Sequence, residues 1–132
     1  MLIIKPDQLR QFEALLTDNF VRRAHAHVQQ FFPGVAERVG AANMPKIIQA
    51  TIARAAEYGI SSEQDICTFL DLAIAFGWNF DRERAWAVKC LTEPGYGEPA
   101  TRVNLLFAAA LVQAELSANA VAAPAAVQWN TL

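Results

Sequence analysis

Charge of either sign is scarce in this sequence. Eleven basic and thirteen acidic residues among 132 leave a formal net charge of −2, and ionisable side chains make up only 18% of the chain. A chain so nearly neutral has no long-range field to draw it to nucleic acid or to an anionic membrane surface. Cysteine is scarcer still. Cys67 and Cys90 fit neither a metal-binding pair nor a redox motif and are read as reduced core thiols. Long apolar runs are missing as well: the richest segment, Val103 to Val112, is interrupted by Asn104 and is too short to span a bilayer. No apolar–polar alternation marks a strand, and no repeat of roughly 20–50 residues marks a solenoid. The opening Met1-Leu2-Ile3-Ile4-Lys5-Pro6 lacks the basic region and long apolar stretch of a secretory signal, so a cytoplasmic location is expected.

What the chain does have is apolar residues at helical spacing. Its hydrophobic fraction is 54%, above the usual range, so apolar surface is expected to remain once a core is filled. Pro6 and Asp7 suit a helix start, and Leu9, Phe12, Leu16, Phe20, Ala24, Val28 and Phe31 trace one stripe as far as Pro33. A short helical turn is expected over Val35–Val39, closed by Gly40. Asn43 and Pro45 open the next helix, and Gly59 ends it with Ile60 placed for the accompanying apolar contact. Ser61 with Gln64 predicts a capping box. The helix from Ser62 to Phe76 is apolar around most of its circumference and is expected to be central. Asp81 is expected to cap a helix running to about Thr92. Pro99 opens the last helix, with Val103, Leu106, Phe107, Ala110 and Ala114 as its core stripe and Leu105, Val112 and Leu116 off it. The expected architecture is all-α: a compact bundle of about five main helices plus a short helical turn. A single domain over 1–117 is followed by an Ala-rich, flexible tail over 118–132.

The candidates for chemistry fail on spacing. His25 and His27 stand two apart on a predicted helix, about 200° from each other, and cannot share a metal. Asp65, Asp71 and Asp81 form no paired-acid or Glu-x-x-His pattern. Gly95 and Gly97 lack the strand, helix and lysine of a phosphate loop. With no nucleophile elbow either, the chain is read as non-enzymatic, with no catalytic residue, metal or cofactor.

Protein binding is the expectation that remains. Asp71 stands in the apolar run Phe69-Leu70-Asp71-Leu72-Ala73-Ile74, where a buried carboxylate needs a partner. Either it bonds within its own fold, along a polar stripe with Thr68, or that stripe faces a binding groove. Leu2, Ile3 and Ile4 form an apolar arm that either packs on its own domain or joins a second chain. Trp78 and Phe80 lie beside Arg82 and Arg84, the aromatic and arginine mixture of interface hot spots, although Phe80 also suits a plug between helices. Leu105 and Val112 complete the set of expected binding residues.

A resemblance narrows the class of partner. Met1-Leu2-Ile3-Ile4-Lys5-Pro6-Asp7-Gln8-Leu9, Phe31-Phe32-Pro33, Tyr58-Gly59-Ile60, Asp65-Ile66-Cys67, Phe69-Leu70-Asp71-Leu72, Phe76-Gly77 and Phe80-Asp81 together resemble small helical proteins of Gram-negative bacteria that accompany type VI secretion effector modules. The match runs from residue 1 to about 110. The resemblance implies an accessory chaperone or co-adaptor, without enzymatic activity, acting with an adaptor chaperone or a secreted effector in the cytoplasm. It carries over no site residues. Two alternatives stand beside it. An immunity protein against a nuclease toxin would be expected to have a strongly acidic surface, which this composition does not favour. A small-molecule or lipid-binding bundle would be expected to hold a cavity of several hundred Å³ beside Phe69 and Asp71.

Overall fold

The computed structural model describes residues 5–120, all of whose regular structure is helical. Seven α-helices run in order: α1 (Pro6–Phe31), α2 (Pro33–Val39), α3 (Met44–Glu57), α4 (Glu63–Phe76), α5 (Phe80–Glu83), α6 (Ala85–Thr92) and α7 (Pro99–Ala120). A 3-10 turn, Pro94–Tyr96, precedes the last. The chain divides between Ile48 and Gln49, within α3, into two compact units.

In the first unit, α1 starts as its sequence dictates. Pro6 occupies the first turn, and the Lys5 amide donates to Gln8 Oε1 at 3.1 Å. The stripe expected along α1 is covered over only part of its length. Phe20, Val21, Ala24 and Val28 are buried, whereas Leu9 (43% exposed), Leu16 (52%) and Phe31 (60%) are not. Length supplies a reason within this unit. Among the described residues of this unit the only other complete helix, α2, has seven residues and is about 10 Å long, so it cannot reach along the nearly 40 Å of α1.

The second unit shows how strongly local chemistry punctuates the chain. At the end of α3 the Ile60 amide donates to the Ala55 carbonyl and the Gly59 amide to Ala56, each at 3.0 Å. Those two bonds define a Schellman cap, which needs the left-handed backbone that Gly59 adopts at φ +76°. Ala55 and Ile60 are both buried beneath it. The cap of α4 falls one residue later than expected: Ser62, not Ser61, accepts from the Asp65 amide at 3.2 Å. Ile66, Phe69, Leu70, Leu72, Ala73 and Ile74 make α4 the buried helix of this unit, touching α5 and α7.

Two expectations fail here. The helix foreseen from Asp81 to Thr92 is broken at Arg84, whose extended backbone (φ −91°, ψ 120°) separates α5 from α6. Asp81 lies inside α5 and caps nothing; it is buried. On α7 the core stripe is Val103, Leu106 and Ala110, while Phe107 is 49% exposed because it lies at the edge of that stripe. The helix continues to Ala120, and the rest of the expected tail lies outside the described residues.

Candidate protein-binding surfaces

The polar interior of the second unit is organised by Asp81, whose side chain is wholly excluded from solvent. Arg54 Nη1 donates to both of its carboxylate oxygens at 3.0 and 3.1 Å, and the Tyr58 hydroxyl donates to Oδ2 at 2.7 Å. One anion thus ties α5 to the last turns of α3. Burial, reinforced by the adjacent carboxylate, pushes the Tyr58 hydroxyl up to about 12 from its ordinary 10.0. An unfolded chain would release this proton near pH 10, while the fold retains it. The resulting stabilisation is complete below about pH 10 and disappears as pH rises through about 12. The melting-temperature advantage of the wild type over Tyr58→Phe should therefore hold steady up to about pH 9 and shrink towards about pH 12. An advantage unchanged across that window would contradict the assignment.

Aromatic rings form a row beside this network. Tyr58 lies 6.1 Å from Phe69, Phe69 5.1 Å from Phe80, Phe80 6.2 Å from Trp86 and Trp86 5.0 Å from Phe76. Two arginines then close helix ends. Arg84 donates to the Phe76 carbonyl at 3.1 Å, at the end of α4. Arg102 reaches back from α7 to the carbonyls of Gly97, Cys90 and Glu93 at 2.9, 3.3 and 2.6 Å. Carbonyls that a helix terminus leaves unmatched are satisfied in both cases. Burial pushes the Cys90 thiol up, which favours the unreactive protonated form.

The expected binding residues separate when placed on this frame. Phe80 is core, 1% exposed among those rings, and has no surface to offer a partner. Trp78, in the same loop, is 41% exposed. Arg82 is exposed but already paired with Glu57 at 3.1 Å. Asp71 is half-buried and is not free; the enclosed carboxylate is Asp81 instead. Leu105 and Val112 are exposed on α7, at 39% and 52%. Leu2, Ile3 and Ile4 lie outside the described residues.

Periodicity alone did not show which apolar positions on α1 would be bare. Leu9 and Leu16 continue the stripe that is buried from Phe20 to Val28, and Leu15 (60% exposed) lies to one side of it. Arg10 and Glu13 put a charge of each sign on the flank of that stripe, while Asp7 and Asp18 lie on the far side of the helix. An amphipathic face of this kind suits a partner helix: the leucines supply apolar contact and the mixed charges select register.

An open cleft of about 390 Å³ in the first unit is lined by His25, Gln29, Pro33, Ala36, Glu37, Gly40 and Ala41, not by Phe69 or Asp71. Among the described residues, no group of three or more His, Cys, Asp or Glu side chains is placed to hold a metal ion, and no helix is long and apolar enough to cross a membrane. No protein-family model, curated protein or solved structure matches the chain.

Proposed function

We propose that this chain is a non-enzymatic protein-binding module acting in the cytoplasm, an accessory chaperone or co-adaptor that assists loading of a type VI secretion effector. The observation that carries the binding role is the bare half of α1. Leu9 and Leu16 lie on a stripe that is buried from Phe20 to Val28, yet they remain 43% and 52% exposed. Exposed leucines on an otherwise buried stripe suit a surface that a partner covers. The class of partner rests on the sequence resemblance alone.

Affinity purification of the full chain from a bacterium that encodes it, with identification of co-eluting proteins, tests both parts. Wild-type chain should recover a type VI adaptor or effector, and the double variant Leu9→Asp/Leu16→Asp should lose it while keeping its melting temperature within a few degrees, as exposed positions allow. Elution without such a partner would refute the secretion role. Recovery undiminished by the double variant would refute the α1 face.

A further inference from the structure

A second apolar face remains on α7, and its pattern differs from that of α1. Between Val103 and Ser117 the helix carries one ionisable side chain, Glu115. Val103, Leu106 and Ala110 turn inward and are buried. About a third of a turn round the helix from them, Leu105, Ala109, Val112 and Leu116 follow one another at spacings of four, three and four; Ala109 is half-buried and the three larger side chains are 39%, 52% and 55% exposed. Such spacing makes a narrow helical seam of the a/d kind.

That order of spacings reads the same in either direction, so the stripe can meet its own copy position for position about a two-fold axis. We infer that the outer stripe of α7 is the seam of a symmetric antiparallel pair formed by two copies of this chain. In that register Leu105 packs against Leu116 of the second copy, and Ala109 packs against Val112. A small residue facing a larger one lets the helix axes approach closely. The charges agree with the same register. Antiparallel pairing about the midpoint between Ala109 and Val112 separates the two Glu115 carboxylates by about 13 Å along the axis, beyond the screening length of roughly 8 Å at physiological salt. Parallel pairing would place them side by side. A charged foreign helix would find almost nothing on this face to fix its register, whereas the face of α1 offers both signs. The seam spans only about three helical turns, at the small end of protein interfaces, so the pair is reversible and concentration-dependent.

Sedimentation equilibrium on the purified full chain across about 1–200 μM tests the pairing directly. The wild type should approach twice its 14.5 kDa chain mass at the upper concentrations. Leu105→Lys and Leu116→Glu should each weaken dimerisation by about tenfold or more when measured alone, because each places a charge against a leucine. Mixed one to one, the two variants should pair again, because the register sets Lys against Glu at one end and leaves Leu against Leu at the other. Leu111→Gln, on the exposed flank outside the seam, should change nothing. Circular dichroism checks that every variant remains folded. A wild type that is monomeric at the highest concentration would overturn the proposal, as when another protein or another part of the chain occupies the stripe. So would variants that fail to recover on mixing, or an equal loss of pairing from Leu111→Gln, which would indicate general stickiness. None of these outcomes bears on the α1 face.

Discussion

Replacing Arg54 with Met should cost this protein about 3 to 5 kcal/mol of stability, as measured by urea denaturation followed by circular dichroism. The size follows from an asymmetry. The Arg54 side chain is 24% exposed and could regain water on its own, but Asp81 is wholly buried and could not. Removing the guanidinium leaves an enclosed carboxylate whose remaining side-chain donor among the described residues is the Tyr58 hydroxyl. A typical domain has only about 5 to 15 kcal/mol of stability, so the variant should lose a large share of it and melt at a clearly lower temperature. The double variant Arg54→Met/Asp81→Leu should be more stable than Arg54→Met alone, since it removes the stranded charge with its partner. If the double variant is the less stable of the two, Asp81 is not enclosed as described.

Phe80→Ala should cost about 3 to 5 kcal/mol by the same measurement, while Trp78→Ala, two residues away, should cost less than about 1 kcal/mol. The contrast comes from position rather than chemistry. Phe80 is 1% exposed with Phe69 and Trp86 around it, and truncation would leave a cavity that those rings cannot fill without leaving their places. Trp78 already has 41% of its surface in water. Near-equal losses at the two positions would show that this loop packs differently from the arrangement described.

How much of this fold is legible in the sequence depends on distance along the chain. Signals that act within one helical turn were legible: Pro6 at the start of α1, Gly40 after α2, and Gly59 with Ile60 after α3. Each depends on a few neighbouring residues, and its chemistry is fixed before any tertiary contact forms. The shift from Ser61 to Ser62 arose because adjacent serines offer two nearly equivalent caps. Interactions between distant residues were not legible. Arg54 and Asp81 are 27 positions apart, and nothing in either segment announces the other. Asp71 drew attention because its sequence neighbours are apolar, but neighbours at one and two positions point to other faces of a helix. The arginine clamp at Arg102 joins residues up to twelve apart, which no capping rule anticipates.

The surfaces were read less completely than the core, for a related physical reason. A stripe of leucines on a helix looks the same whether its own chain covers it or not. The off-core set on α7 was visible because that helix has apolar residues on more than one side; Leu9 and Leu16 on α1 read only as part of one stripe running the length of the helix. What separates them is coverage: Phe20 to Val28 hold the buried part of the stripe, and the seven residues of α2 are too few to reach Leu9 and Leu16. The two bare faces also differ in charge, and that difference is the basis for giving them different partners.

Hydrogen–deuterium exchange across residues 6–19, in the chain alone and in its purified complex, tests the central claim most directly. Amides of a half-helix without a covering partner open easily and exchange fast. Binding through Leu9, Leu15 and Leu16 should slow them by about tenfold or more, while exchange around Asp81 stays the same. Unchanged exchange over 6–19 in a complex that is protected elsewhere would contradict the claim that this face of α1 binds the partner.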